Sequence, residues 1–81
     1  MNIKLYYTPY CSYCRSVKVY FQRKGITYKG FDVSKDKKAL EEMIKLTGRN
    51  CVPIIIINSE VVIGFNKNKI DELLKKNIKY E

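Results

Sequence analysis

Cys11 and Cys14, separated by Ser12 and Tyr13, are the residues of this chain best suited to chemistry. On a helix that spacing stands two thiols one turn apart, close enough for a disulfide and unequal in exposure. Cys11, at or just before the first turn, faces backbone N–H groups that lack intrahelical partners and the positive end of the helix dipole, which favours its thiolate. Cys14, one turn in, is expected to be more buried and less acidic. The reaction that fits this inequality is thiol–disulfide exchange, in which a thiolate attacks a disulfide and a second thiol resolves the mixed disulfide. Cys11 attacks and Cys14 resolves. Arg15 and Lys18 follow closely and add positive potential that favours the attacking thiolate. A structural zinc site would need a second pair of ligands that the chain lacks, and two inert core cysteines would not account for the exposed Thr8-Pro9-Tyr10 approach.

The rest of the composition narrows the alternatives. Histidine is absent, which excludes Cys-His nucleophilic catalysis and His-based metal sites. Residues 1–81 are read as one small domain, with 46% hydrophobic residues to build one core. Cys51 makes a third cysteine, and three do not make a disulfide framework; the set suits a reducing compartment where a pair can cycle. Met1-Asn2-Ile3-Lys4 runs directly into a strand pattern and no apolar run approaches a membrane span, so a cytoplasmic protein without a leader is expected. The net charge of +8 attracts anions in general. It reads as a lysine-rich soluble surface, and nucleic acid is not an expected partner, because the tyrosines concentrate in predicted strands and beside the cysteine pair.

The elements that position the pair follow from pattern. Ile3 to Tyr7 predicts a strand ending where the cysteine loop begins. From Ser12 to Lys24, Cys14, Val17, Tyr20 and Phe21 keep helical spacing, with Arg15, Lys18, Gln22 and Arg23 left for solvent, and Gly25 ends the helix. Ile26 to Val33 predicts a second strand, parallel to the first, with Gly30 marking a close approach or a bulge. A second helix, capped by Ser34 or Asp36, carries Ala39, Leu40, Met43 and Ile44 as its apolar stripe and closes at Gly48. Val52 to Ile57 predicts a buried strand entered through Pro53, turning at Asn58-Ser59 into Val61 to Ile63. Gly64 breaks that strand, Asn66 caps a last helix with Ile70, Leu73 and Leu74 inward and Lys75 and Lys76 at its end, and Ile78 to Glu81 is expected to fray. The order is βαβαββα.

Taken together, Tyr10-Cys11-Ser12-Tyr13-Cys14 after the first strand, Thr47-Gly48-Arg49 before the third, Val52-Pro53 at its entry and Gly64 after the hairpin resemble the glutaredoxins, small members of the thioredoxin superfamily. The resemblance covers almost the whole chain. It implies an α/β, thioredoxin-like fold, a four-stranded mixed sheet covered by three helices. It also implies reduction of protein disulfides or glutathione mixed disulfides, with glutathione as co-substrate, no tightly bound cofactor, and a monomer. It implies a cis Val52–Pro53 bond, beside which the Val52 backbone pairs with a substrate backbone. It places Tyr13, Arg49 and the segment after Gly64 along a glutathione groove.

Departures from the family pattern bear on the electron donor. Thr8 stands where many glutaredoxins have lysine, and Phe65 and Lys67 stand where they have a second glycine and an acid. Gly64-Phe65 is instead the pairing of glutaredoxin-like redoxins reduced by thioredoxin reductase. Ser12 replaces the usual proline; it reads as a helix N-cap, or, as in family members with serine there, as the mark of a homodimer holding a [2Fe-2S] cluster through Cys11 and two glutathiones. Cys51 replaces a threonine. It reads as a partly buried structural residue, or as an auxiliary thiol that pairs with the site or takes up glutathione.

Overall fold

A computed structural model of the chain describes residues 2–77. The elements are β1 (Ile3–Tyr7), α1 (Ser12–Arg23), β2 (Lys29–Asp32), α2 (Lys37–Thr47), β3 (Ile54–Ile57), β4 (Glu60–Ile63) and α3 (Lys67–Asn77). The expected order βαβαββα is the observed one, and the tail expected to fray lies outside the described residues.

The strands form a single sheet in the order β2-β1-β3-β4. β1 and β2 run parallel, with Leu5 opposite Gly30, as a helix crossover between them requires. β3 runs antiparallel to β1, with Leu5 opposite Ile55, and β4 returns antiparallel to β3 through a two-residue turn. Asn58 enters that turn at φ 58°, a conformation Asn tolerates better than most residues. Its amide and side chain also bond the Asn2 backbone, which ties down the N-terminal edge of β1.

Alternation along the strands sorts the core into two layers. Ile3, Leu5, Ile55, Ile57 and Val62 face one side and pack with Val17 and Phe21 of α1 and Ile70, Leu73 and Leu74 of α3. Tyr6, Ile54 and Ile56 face the other side and pack with Ala39 and Met43 of α2. All four isoleucines of β3 are buried because both faces of that strand are covered, which is why it reads as an unbroken apolar run. Tyr6 is fully buried, stacks on Phe31 and donates its hydroxyl to Glu42 Oε1 at 2.6 Å, so a polar group in the α2 layer is satisfied.

Three expectations are corrected here, and one left open is decided. The strand expected from Ile26 to Val33 is only Lys29–Asp32, because Ile26 is taken up in the closure that follows α1. The Ile26 N–H bonds Phe21 O, the Gly25 N–H bonds Gln22 O, and Gly25 sits at φ 67°, which is a Schellman closure that turns the chain before it can extend. β3 begins at Ile54 rather than Val52. Of the two expected caps of α2, Asp36 is the one used, accepting from the Ala39 N–H at 3.0 Å, while Ser34 closes a local turn on Asp32. Ile44 is exposed, because Ala39 and Met43 meet the sheet and Ile44 lies around the helix from them. Gly30 does mark a close approach: a Cβ there would sit 3.1 Å from the Tyr7 ring.

Candidate functional site

β1 delivers the chain to the N-terminus of α1, and the cysteines sit on that junction. Cys11 is the N-cap, with extended backbone, and its own sulfur accepts the Cys14 N–H at 3.2 Å. The expected cap was Ser12. Serine one residue later is already helical and exposed, with its carbonyl accepting from Ser16 Oγ. The cap is thus the candidate nucleophile, and one of the free N–H groups of the first turn points at its sulfur.

Cys14 lies beneath it, 1% exposed, while Cys11 is half-buried, so the predicted inequality is present. Burial pushes the Cys14 thiol up to about 12, helped by its hydrogen bond and electrostatic interaction with Cys11; a backbone hydrogen bond at Thr8 and the Lys18 ammonium pull the other way. Two of the raising influences come from Cys11 itself. Lys18 is not turned to solvent as expected. Its Nζ lies 3.4 Å from the centroid of the Tyr7 ring, so its charge is held at the end of β1 behind the pair.

A thiol raised this far makes reduced protein sensitive to alkali. The folded state holds the Cys14 proton between the ordinary thiol range and about 12, whereas the unfolded chain releases it, so stability is complete below the unfolded value and falls as pH rises from about 9. Urea melts of the reduced protein at pH 7 and pH 10 should show a lower midpoint at pH 10, by up to about 1 kcal/mol per pH unit. Cys14→Ala should remove most of that difference, leaving the smaller part due to the Tyr6 and Tyr28 hydroxyls, which burial also raises. An unchanged midpoint in the parent protein would show that Cys14 is not desolvated.

The segment before β3 closes the site. The Val52–Pro53 peptide is cis, and the Val52 carbonyl oxygen lies 4.0 Å from Cys11 Sγ. Pro53 is buried and its carbonyl accepts the Gly64 N–H at 2.8 Å, with Gly64 at φ 80°, so the end of the hairpin is fastened beside the proline. Cys11, Cys14, Val52, Pro53 and Gly64 are therefore linked by contacts that run from α1 to β4.

The other expected residues stand further out. Tyr13 is 66% exposed and Tyr10 94%, two aromatic rings bared around the nucleophile. Arg49 is exposed; its N–H bonds Thr47 Oγ1 just after Gly48 closes α2 at φ 70°. Cys51 is exposed rather than partly buried, since the two residues before Pro53 lie outside the sheet. It is a free thiol, as Cys11 and Cys14 are. Alkylation of native reduced protein at neutral pH should label Cys11 and Cys51 and spare Cys14. A peptide map of the oxidised protein should link Cys11 to Cys14 with Cys51 free; a linkage through Cys51 would make it part of the site.

Sequence reasoning named Phe65 and Lys18 but missed where each one packs. Phe65 packs edge-on against Tyr20, with ring centroids 5.9 Å apart, and so joins the chain after Gly64 to the outer side of α1. The Tyr7–Lys18 pair was invisible because it joins a strand end to a helix with no pattern in common.

Comparison with known proteins agrees with this geometry. The glutaredoxin family model matches residues 3–62. A glutaredoxin-like 8.6 kDa protein encoded in a rubredoxin operon of Clostridium pasteurianum is 40% identical over 74 residues, covering 91% of this chain and 99% of its own. Glutaredoxin 3 of Escherichia coli K12 is 30% identical over 81 residues, covering 91% and 98%. The crystal structure of a mutant of the thioredoxin-like protein BC3987 superposes with a TM-score of 0.87 at 32% identity, covering 91% of this chain and 95% of that one. The fold is thioredoxin-like, as the sequence implied.

Proposed function

The chain belongs to the glutaredoxin family, and from that premise we propose that it is a dithiol oxidoreductase in which Cys11 attacks and Cys14 resolves. The observation that carries this reading is the capping geometry, a half-buried sulfur receiving the Cys14 N–H directly above a buried second thiol. The Cys11 thiolate attacks one sulfur of a substrate disulfide, forming a mixed disulfide and releasing the other sulfur as a thiolate. Cys14 gives up its proton and attacks Cys11 Sγ; the Cys11–Cys14 disulfide forms and the second substrate thiolate leaves. Two electrons have then passed to the substrate, and an external thiol or reductase returns the pair to the dithiol. Such a cycle needs a reducing compartment, and among the described residues no helix is long and apolar enough to cross a membrane.

In this reading the substrates are disulfide-bearing or glutathionylated proteins. The Val52 backbone, beside Pro53 and 4.0 Å from Cys11 Sγ, is placed to align a substrate strand, while Tyr13, Arg49 and Gly64 border the groove for glutathione. Phe65 and Lys67 favour a second donor. Phe65 is spent on Tyr20, and Lys67 puts an ammonium 5.7 Å from the same ring, where it opposes the amino end of glutathione. Both features suit a redoxin fed by thioredoxin reductase. Among the described residues no three acidic, Cys or His side chains gather as a metal site, so a [2Fe-2S] cluster would take Cys11 alone from this chain.

The deciding experiment is reduction of a small glutathione mixed disulfide coupled to glutathione reductase and NADPH, for the parent protein and Cys14→Ser. Turnover by both supports glutathione as the donor, with Cys11 working alone. Turnover by neither, with reduction of the parent by thioredoxin reductase, assigns the second donor. Failure with both donors sinks the dithiol reading.

A further inference from the structure

The outer side of α1 and the start of α3 enclose a groove of about 390 Å³ that shares Phe65 and Lys67 with the donor features above and otherwise extends beyond the residues of the exchange. Arg15, Val19 and Arg23 line it at successive i, i+4 positions, which places them on one ridge of α1. Tyr20, Phe65 and Lys67 form the opposite wall. Its apolar part is real. Val19 is 41% exposed although flanked by two arginines, and Phe65 stands edge-on to Tyr20. The charged side chains that line it are Arg15, Arg23 and Lys67, all cations, with the Lys67 ammonium 5.7 Å from the Tyr20 ring; Lys24, 5.3 Å from the same ring, lies outside the lining and is paired with Asp71 at 3.7 Å.

We propose that this groove docks an acidic segment of the protein substrate, with an apolar side chain seated on Val19 and Phe65 and carboxylates facing Arg15, Arg23 and Lys67. The proposal rests on the dithiol reading for its purpose and on the groove for its chemistry. Charge complementarity selects the occupant: three cations around an apolar floor suit a peptide that alternates acidic and apolar residues. Position gives the register. The Arg15 N–H bonds Cys11 O at 3.1 Å, so the groove opens one helical turn from the nucleophile. From Cys11 to Arg23 the helix rises about 18 Å at 1.5 Å per residue, a span that five or six extended residues cover. The acidic residues of a preferred partner therefore lie within about six residues of its reacting cysteine.

The test uses two disulfide peptides of one length, one carrying a leucine flanked by glutamates four to six residues from its disulfide, the other with lysines in place of the glutamates. Arg23→Glu should raise KM for the acidic peptide about fivefold, the size of reversing one exposed ion pair. It should leave kcat, and turnover of a small mixed disulfide, unchanged. Lys45→Glu, on α2, is the control. If it acts as strongly as Arg23→Glu, or if neither variant changes KM, the groove has no such role. Binding is read separately with a disulfide-free acidic peptide, which should shift the amide resonances of Val19, Arg23 and Phe65 by NMR. That readout does not need the exchange reaction, so loss of all turnover would remove the dithiol reading while leaving the groove to be judged. Shifts confined to other amides would overturn the proposal, as would a single-stranded oligonucleotide that moves these amides when the acidic peptide does not.

Discussion

Cys11→Ser should lose disulfide reduction by a factor on the order of 10³ or more, with every donor and every substrate. The argument is geometric. Cys11 is the one sulfur that receives a helix N-terminal N–H, and Val52, beside it, is the backbone placed to hold a substrate. Cys51 is exposed but lacks both features, so it offers no substitute thiolate. Serine keeps the shape and the cap, since its oxygen is a better N-cap acceptor than sulfur, and the loss can therefore be assigned to the nucleophile rather than to folding. Far-ultraviolet circular dichroism and the urea midpoint should stay at parental values. Cys14→Ser should behave differently. Its first step is intact, so it should accumulate a mixed disulfide through Cys11 that a small thiol can release but that no intramolecular thiol resolves. Mass spectrometry after mixing with a disulfide substrate should find that adduct. An adduct on Cys51 instead, or activity surviving in Cys11→Ser, would reverse the assignment.

The parts of this site that were legible from residue types are those governed by one local rule. Two cysteines at i and i+3 after a short strand announce a helix N-terminus, Val17 and Phe21 repeat the helical period, and four consecutive isoleucines need cover on both faces. What stayed hidden depends on a choice between neighbours. Ser12 is the better capping residue by type, yet the helix begins one residue sooner and makes Cys11 the cap. Ile26 has strand propensity, but Gly25 hands its N–H to Phe21. Ile44 has the right spacing for an apolar stripe, but Ala39 and Met43 are the residues that reach the sheet. Lys18 looks like a solvated helix charge until the end of β1 brings Tyr7 beneath it. Each of these needs the tertiary neighbour that periodicity omits.

The same α1 that presents Cys11 is held by very few side chains, and Phe21→Ala should therefore cost about 3–5 kcal/mol of stability. Phe21 is fully buried, touches Tyr28 with ring centroids 5.2 Å apart, and lies in the cluster that joins Leu5 and Ile55 of the sheet to Leu73 of α3. Its carbonyl also accepts the Ile26 N–H that ends the helix. Alanine preserves that backbone bond and the helix propensity, so the whole effect falls on packing. Against a total of about 5–15 kcal/mol for a domain, such a loss leaves the protein marginal. Its effect on chemistry follows from what remains. Cys14 and Val17 are the other buried residues of α1, and Cys14 belongs to the site, so loosening at Phe21 is transmitted toward the cap at Cys11. Urea melts should show a much lower midpoint for Phe21→Ala and an intermediate one for Phe21→Leu. Tyr10→Ala, removing a ring that is 94% exposed, should leave the midpoint unmoved. Near-parental stability in Phe21→Ala would mean that α1 is anchored from its N-terminal turn instead, with the cysteine pair contributing to the core as well as to the reaction.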